Sequence, residues 1–281
     1  MSGLRELIGV HRGMPAVEYH ALGGISSSIL RALWGKTPAH LKLYLDEGVE
    51  PTPAMMLGTI GHAIALNEPV PSLALYPETY PADDGKEKPW SNNARWCKAW
   101  VKEKKDHGFI PVTKEVSDNA YGAAQALLDH DIAGPVLRDC RTEMTLITWD
   151  ETNAIPVRCR MDIVPRQPFL ADCKFAHTVD EQDWVKHAYN SGLHIQAALY
   201  LNVWNQMCGY VDHKEGFKFF VVEQKPPFDV RVFNCSEAFL KRGWEDVCSL
   251  LRIASKCMNE NMWPKSPAIE ADLGVPKWVK D

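Results

Sequence analysis

The sequence predicts an α/β fold in which a central mixed β-sheet is flanked by helices. Three β-rich runs separated by short turns lie in the middle of the chain, at 143–149, 155–164 and 169–175. Helical patterns precede and follow them, and two further β-rich runs, at 217–222 and 228–233, predict a hairpin. Because 281 residues can pack around one sheet, we expect a single domain over residues 1–281.

The chain before these strands is predicted to be mostly helical. Residues 1–24 look irregular, and we expect an N-terminal arm there. A serine triplet at 26–28 precedes the apolar run 29–34, which predicts a capped helix that stops at Gly35. Further helices are expected from Pro38 to about residue 45, and at 56–66, 92–106 and 114–130. Residues 68–92 are rich in Pro, Asp, Gly and Lys and predict a long surface loop.

Helices are also expected between and after the later strands. Thr178, with Glu181 three residues further on, has the spacing of a capping box and predicts a helix start. Apolar periodicity predicts another helix over 193–208 and a long one over 236–259. The order of helices, β-meander, helices, hairpin and helix contains no internal repeat.

Composition excludes several classes of protein. Hydrophobic residues make up 46% of the chain and charged residues 24%, which is typical of a globular protein with a sizeable core. No apolar run approaches a membrane span, and the N-terminus lacks the layout of a signal peptide, so we expect a cytoplasmic protein without membrane contact. The eight cysteines are scattered singly, which argues against zinc–thiolate and iron–sulfur sites. A net charge of −5 argues mildly against a protein that coats nucleic acid.

The chemistry-bearing segment lies in the second and third β-rich runs. Asp172 and Lys174 are two residues apart on a strand, so their side chains leave the same face. Asp162 ends the preceding strand, and a short turn folds it back beside Asp172. Two carboxylates suit Mg²⁺, and a neighbouring Lys can orient an attacking water. The alternative is a surface ion pair, which the apolar residues 169–171 disfavour because they indicate a buried strand.

The spacing D-x9-D-x-K, formed by Asp162, Asp172 and Lys174, resembles the catalytic core of the PD-(D/E)xK nucleases. LGTIGH at 57–62 resembles the upstream helix of the RecB and RecE branch, and QAALY at 196–200 resembles its QxxxY motif. The resemblance spans roughly residues 19 to 277, from Tyr19-His20 to the segment 273–278, and is strongest to RecE-type nucleases (exonuclease VIII), with lambda-exonuclease-like enzymes more distant. It therefore implies a restriction-endonuclease-like core.

The resemblance also implies residue roles. His62, Asp162, Asp172 and the main-chain carbonyl of Cys173 would hold the metal, and Lys174 would serve the nucleophilic water. Gln196 and Tyr200, which the i, i+4 spacing places on one helix face, would support the site or contact DNA. Without the other motifs, a hydrogen-bonded core histidine would be the preferred interpretation of His62. For Gln196 and Tyr200, a partly buried helix face remains the alternative.

Five further residues are candidates from their positions. Glu143 opens the first strand and is a candidate carboxylate beside the metal site or at a second metal. Ser26 and Ser28 are candidates for phosphate binding, although helix capping explains them equally well. Arg158 and Arg160 share strand parity with Asp162 and are candidates to contact the DNA backbone, the alternative being solvated charges at a strand end.

The resemblance implies a Mg²⁺-dependent exonuclease, with Mn²⁺ as a substitute and one or two ions in each site. Its substrate would be linear double-stranded DNA, digested 5′→3′ to mononucleotides to leave a 3′ single strand. It further implies a ring-shaped homo-oligomer, trimeric or tetrameric, and a single-strand annealing partner of the RecT/Bet type in a phage or prophage recombination module.

Three other functions remain open from the sequence. The first is an endonuclease of the same superfamily, or a Cas4-like nuclease, although the latter needs a cysteine cluster that this chain lacks. The second is a catalytically inactive DNA-binding or assembly protein, which the intact Asp162, Asp172 and Lys174 disfavour. The third is a small-molecule hydrolase, for which the sequence shows no pocket signature.

Overall fold

The computed structural model describes residues 2–268 and residue 270. Ahead of the main strands lie α1 (Ser2–Arg5), β1 (Gly9–His11), α2 (Ala16–Ala21), α3 (Ser27–Leu33), α4 (Pro38–Glu47), α5 (Pro53–Ala65), β2 (Leu73–Leu75), β3 (Thr79–Pro81), β4 (Glu87–Pro89), α6 (Arg95–Asp106), β5 (Ile110–Val112), α7 (Lys114–Asp129) and α8 (Ala133–Arg138). Then follow β6 (Cys140–Asp150), β7 (Ile155–Pro165), β8 (Phe169–Ala176), α9 (Glu181–Asn190), α10 (Leu193–Cys208), β9 (Gly216–Glu223), β10 (Val230–Asn234) and α11 (Glu237–Glu260). None of these helices is long and apolar enough to span a bilayer.

Six strands form the central sheet in the order β1-β6-β7-β8-β9-β10. β6, β7 and β8 form the predicted antiparallel meander, and β9 and β10 form the predicted hairpin. β8 and β9 run parallel, because α9 and α10 cross over between them. The predicted α/β fold with a central mixed sheet flanked by helices is therefore confirmed.

The two faces of the sheet are covered by different helices. One core joins β7 and β9 to α3, α10 and α11, with Trp204 and Phe217 among its largest buried side chains. The other core joins β8 and β9 to α5, α7 and α8. Along β9, Phe219 belongs to the first core and Phe220 to the second, as expected of a strand buried on both faces. Asp172, on β8, therefore lies in the interior of the protein.

The N-terminal residues are more ordered than the predicted irregular arm over 1–24. Strand β1 pairs antiparallel with β6, with Gly9 opposite Ile147, and forms one edge of the central sheet. Helix α2 places Tyr19 in a small core with Met14 and Ile147. Three residues are too few to show strand alternation in the sequence, so only the pairing with β6 defines β1.

Residues 68–92 are largely exposed, as a surface loop would be, but they contain three short strands. β2 pairs parallel with β5, and β3 forms a hairpin with β4. Aromatic side chains from this segment and from α6 pack together, with ring centroids of Tyr76 and Trp90 5.0 Å apart and those of Trp90 and Trp100 5.4 Å apart. These contacts give the segment a small core of its own. Its high Pro and Gly content predicted a loop and gave no sign of this core.

Capping differs from the sequence prediction at α9. The helix begins after Asp180, whose carboxylate accepts hydrogen bonds from the amides of Gln182 and Asp183. Thr178 instead accepts from the amide of Asp180. A carboxylate nearer the free amides of the first turn is the stronger cap, which explains the shift from the predicted start at Thr178. Ser236 caps α11 by accepting from Phe239, as its sequence position suggested.

Lys214, between α10 and β9, fixes the turn that joins β7 to β8. Its side chain is fully buried, and its ammonium donates to the carbonyls of Pro165 at 2.7 Å and Gln167 at 2.9 Å. Asp212 lies 2.8 Å from the same ammonium. Since β7 and β8 carry Asp162 and Asp172, this lysine supports the hairpin on which the candidate site is built.

We expect Lys214→Ala to lower the free energy of unfolding by about 3 kcal/mol, because it removes a buried charge from its partners. Chemical denaturation at neutral pH measures this loss. Lys225→Ala is the matched control, since Lys225 is 72% exposed and pairs with Glu115 at 3.4 Å on the surface. It should change stability by less than about 0.5 kcal/mol. Equal effects of the two substitutions would contradict the buried role of Lys214.

Candidate active site

Asp162 on β7 and Asp172 on β8 lie close together, next to the point where the two strands pair. Ile163 pairs with Ala171, so the two aspartates are the next positions along the antiparallel strands. Met161 packs in the core on one face of the sheet and Ile163 in the core on the other, so strict alternation breaks at Asp162. Such a local irregularity changes the direction in which a side chain points, as a β-bulge does. The two carboxylates are close enough to form a hydrogen bond when one is protonated.

Asp172 is held from two sides. Lys174, on the same face of β8, forms an ion pair with Asp172 Oδ2. Gln196 of α10 donates from Nε2 to Asp172 Oδ1 at 2.5 Å. Asp172 is only 1% exposed, whereas the Lys174 side chain is 24% exposed. The alternative of a surface ion pair does not describe this setting, because the acid is buried and the base is partly exposed to solvent.

Helix α5 brings His62 to the same point. His62 Nδ1 lies 3.4 Å from Asp162 Oδ2, and the ring lies near the main chain of Cys173. Close packing of α5 on β8 makes this possible, because a Cβ at Gly61 would collide with the Phe175 ring. The glycine before His62 thus permits the approach that delivers the imidazole to the carboxylates.

We expect Gly61→Ala to destabilise the protein by about 1 kcal/mol or more, because the added methyl must displace the Phe175 ring. Gly58, one turn earlier on α5, has open space around its Cβ position. Gly58→Ala should therefore stabilise the protein by roughly 0.5–1 kcal/mol, the usual gain of alanine over glycine in a helix. Urea denaturation of both variants tests the pair. Similar stability changes in the two would show that α5 does not pack against β8 in this way.

Electrostatics at the site favour a bound cation. Burial raises the pKa of Asp162 well above its usual range, and the negative charge of Asp172 raises it further. Burial also lowers the pKa of His62 to about 4, which keeps the imidazole neutral at physiological pH. A neutral imidazole and two adjacent carboxylates are a donor set that a divalent cation completes.

The described side chains around Asp162 and Asp172 do not enclose a preformed metal site. Within residues 2–268 and 270, no group of three or more His, Cys, Asp and Glu side chains has metal-binding geometry. Lys174 and Gln196 engage Asp172 instead, and Asp172 Oδ2 lies buried against the ammonium without a well-formed hydrogen bond. An incompletely satisfied carboxylate oxygen beside a second buried carboxylate fits a divalent cation. The residues present are thus compatible with Mg²⁺.

Glu143 lies beside these carboxylates on β6. Its backbone has a positive φ of 51°, which is unusual for a non-glycine residue within a strand. Burial raises the pKa of Glu143, and the ion pair with Arg160 opposes that rise. The Arg160 guanidinium also donates to the carbonyl of Met14 at 2.7 Å. The Glu143 carboxylate therefore has a positively charged partner, Arg160.

Both predicted strand arginines hold the N-terminal segment. Arg158 is 8% exposed and donates to the carbonyl of Tyr19 at 3.0 Å, with its guanidinium 4.5 Å from the Tyr19 ring centroid. The alternative of solvated strand-end charges is therefore wrong. Besides Glu143, which pairs with Arg160, their partners are main-chain and ring atoms of the segment that contains α2. The predicted DNA contact of the two arginines therefore stays a prediction.

A polar groove of about 470 Å³ opens beside the carboxylates. Its lining includes the predicted residues Ser26, Ser28, Glu143, Arg158, Arg160, Asp162 and Tyr200. Ser26 occupies the N-cap position of α3, but its side chain makes no capping hydrogen bond, so capping does not explain it. Tyr200 is buried, and the hydroxyl of Ser27 donates to its phenolic oxygen at 3.4 Å. Burial raises the pKa of Tyr200 well above its usual value.

The structure thus brings the predicted core residues to one place: His62, Asp162, Asp172, Cys173, Lys174 and Gln196. Ser26, Ser28, Arg158, Arg160 and Tyr200 line the groove that leads away from it. Residues 273–278, which extend the resemblance, lie outside the described part of the chain. Sequence reasoning missed Arg31, whose charge interacts with Asp172 and Tyr200, because a single arginine in a short helix gives no signal.

The mixed sheet, the flanking helices and the Asp-Asp-Lys arrangement define a protein of the PD-(D/E)xK nuclease class. Residues 26–272 match the family described as "PDDEXK-like domain of unknown function (DUF3799)", and the chain belongs to that family. No protein of curated function matches the sequence.

Solved structures support the fold. The crystal structure of a protein from Eubacterium rectale named "putative exonuclease" matches with a TM-score of 0.59 and 13% identity, covering 92% of this chain and 97% of that one. At this identity the match speaks for the fold alone. The structure of SSO0001 matches with a TM-score of 0.28 and 15% identity, covering 55% of this chain and 71% of that one, too low a similarity to carry an argument.

Proposed function

We propose that this chain is a divalent-metal-dependent exodeoxyribonuclease, folded as one nuclease domain, that digests linear double-stranded DNA. The observation that carries the proposal is the convergence of two adjacent carboxylates, Asp162 and Asp172, with His62 and Lys174 beside an open polar groove. Buried carboxylates next to each other are costly in a protein of purely structural role. A bound divalent cation would offset that cost and attract a phosphodiester to the site.

His62, Asp162, Asp172 and the main-chain carbonyl of Cys173 are the residues that would hold one or two Mg²⁺ ions, with Mn²⁺ as a substitute. When bound, a divalent cation supplies positive charge that stabilises the negative charge developing on the phosphate. The neutral state of His62 and the proximity of its ring to Asp162 support this ligand set. In the absence of a cation, Lys174 provides the compensating charge.

Lys174 and Gln196 then act on the chemistry without being ligands. The Lys174 ammonium is partly exposed, so it can orient an attacking water and stabilise charge at the phosphorus. Gln196 fixes the Asp172 carboxylate through its 2.5 Å hydrogen bond, and Tyr200, one helical turn further along α10, borders the groove. Both residues of the predicted QxxxY motif thus support the site from one helix.

DNA would lie along the groove. Ser26 and Ser28 line it at the start of α3, and Arg158 and Arg160 line it from β7. The arginines supply positive charge on that side of the carboxylates, which a phosphate backbone requires when the net charge of the chain is −5. Glu143, which pairs with Arg160, would be a further carboxylate beside the metal.

The finer features of the proposal follow from the resemblance to RecE-type nucleases. These features are 5′→3′ polarity, release of mononucleotides, a 3′ single-stranded product, and a ring-shaped trimer or tetramer. A single-strand annealing protein of the RecT/Bet type would be the partner, in the cytoplasm of a bacterial host and encoded by a phage or prophage. The name of the Eubacterium rectale protein is consistent with exonuclease activity.

Release of acid-soluble nucleotide from linear duplex DNA with Mg²⁺ tests the proposal. We expect digestion of the linear duplex, none with EDTA, none of a closed circular duplex, and none with Asp172→Ala. A duplex labelled at its 5′ or 3′ ends reports polarity, and light scattering during size-exclusion chromatography reports the oligomer. Cleavage of the circle would indicate an endonuclease. Binding of DNA without cleavage of either substrate would indicate an inactive assembly protein and would overturn the proposal.

A further inference from the structure

Arg31 lies on the face of α3 that packs against α10. Ser27 and Arg31 are four residues apart, so they share one face of this helix. Ser27 contacts the Tyr200 hydroxyl at 3.4 Å, and Arg31 Nε donates to the carbonyl of Ser191 at 2.7 Å, just ahead of α10. The stem of Arg31 packs closely over Gly192. Arg31 is therefore anchored across the start of the helix that presents Gln196 to Asp172.

The terminal nitrogens of this guanidinium are unused. An arginine has five N–H donors in a planar fork, and within the described residues only the Nε donor of Arg31 has a partner. Ser27, one helical turn earlier on the same face, lines the polar groove, so Arg31 follows it beside the groove, where its charge acts on Asp172 and Tyr200. Asp172 contacts Lys174 and Gln196, and no carboxylate of the described residues forms an ion pair with Arg31.

The unused donors of Arg31 lie at the start of α10, next to Ser27 and Tyr200 of the polar groove. A partly buried cation with unpaired N–H donors and no ion-pair partner among the described residues indicates that a ligand completes this corner. The ligand must carry negative charge to pair with Arg31, and the planar fork suits a phosphate group.

We propose that Arg31 binds a non-bridging phosphate oxygen of the DNA strand in the site. This inference rests on the proposed nuclease function and adds a phosphate-binding residue to it. Nε is fixed by Ser191, so the remaining N–H donors are held in place before DNA arrives, and little side-chain entropy is lost on binding. Arg31 would thus supply positive charge on the substrate side, in addition to that of Lys174, which pairs with Asp172 in the metal-free protein.

Equilibrium binding of a fluorescent linear duplex in EDTA tests the contact, because no hydrolysis occurs there. We expect Arg31→Gln to weaken binding about tenfold and to reduce the slope of log Kd against log salt by about 1. Arg31→Lys should keep the salt slope and lose the bidentate contact, with a lower kcat/KM in Mg²⁺. Arg252→Gln, a charge removal on the exposed side of α11, should change neither quantity.

The outcomes separate this inference from the function on which it rests. Wild-type affinity and salt slope in Arg31→Gln would overturn the inference, even if the protein digests DNA normally. Loss of hydrolysis in Arg31→Gln without weaker binding would also overturn it, in favour of a positioning role on α10. Binding that depends on Arg31 in a wild-type protein that never cleaves DNA would support the inference and reject the nuclease function. A wild-type protein that does not bind DNA would overturn the inference, and the hydrolysis assay would judge the function independently.

Discussion

Replacing Asp162 by asparagine is expected to abolish DNA hydrolysis and, at the same time, to make the metal-free protein more stable. Asn has nearly the shape of Asp but cannot carry the charge that holds a divalent cation. Loss of that cation removes several kcal/mol of charge stabilisation, so we expect activity to fall by about a thousandfold or more. Acid-soluble nucleotide release in Mg²⁺ measures this effect.

The stability gain has a separate cause. Burial and the adjacent Asp172 raise the pKa of Asp162 well above its usual range, so the metal-free protein must hold a proton there or tolerate two neighbouring charges. Asn removes that cost, and we expect the free energy of unfolding in EDTA at neutral pH to rise by about 1 kcal/mol or more. Calorimetry or urea denaturation in EDTA measures it.

Adding Mg²⁺ distinguishes the two roles of this residue. A cation that binds only the folded protein raises its melting temperature, and Asp162→Asn should lose most of that rise. Glu151→Gln, in the exposed turn between β6 and β7, removes one negative charge elsewhere and should leave activity, stability and the Mg²⁺ response unchanged. If Asp162→Asn destabilised the EDTA-treated protein and kept its Mg²⁺ response, Asp162 would be a structural acid.

The strands and the core of the site could be predicted from the sequence because their signals are local. Asp172 and Lys174 share a face through the period of a strand, and QAALY at 196–200 marks one face of a helix predicted over 193–208, the range that α10 occupies. The short turn after β7 predicted the proximity of Asp162 to Asp172, and the Ile163–Ala171 pair bears this out. Residues close in sequence thus fixed the relative positions of the acids and the lysine.

Features that depend on distant contacts could not be predicted. The pairing of β1 with β6 joins residues more than a hundred positions apart, and three residues carry no period. The break in alternation at Asp162 and the positive φ of Glu143 are properties of the assembled sheet. The role proposed for Arg31 depends on its hydrogen bond to the Ser191 carbonyl and on the nearby charge of Asp172. Neither can be predicted from the sequence of α3.

Lys174→Ala is expected to separate catalysis from metal binding. We expect turnover in Mg²⁺ to fall about a thousandfold, because the ammonium that orients the attacking water is lost. The Mg²⁺-induced rise in melting temperature should remain, since His62, Asp162 and Asp172 are intact. Lys218→Ala is the matched control: Lys218, on the neighbouring strand β9, packs its ammonium 4.3 Å from the Phe169 ring centroid and should be dispensable for turnover.

The stability of Lys174→Ala in the absence of metal is a second test of the role of Lys174. Asp172 is 1% exposed and relies on Lys174 for its compensating charge, so removing the lysine leaves a buried carboxylate with only Gln196 as a donor. We expect a loss of roughly 3 kcal/mol in EDTA, largely restored by Mg²⁺, because the cation can replace the charge of the missing ammonium. The Mg²⁺-induced stabilisation should therefore exceed that of the wild type. Normal turnover in this variant would show that Lys174 serves only as the counter-ion of Asp172.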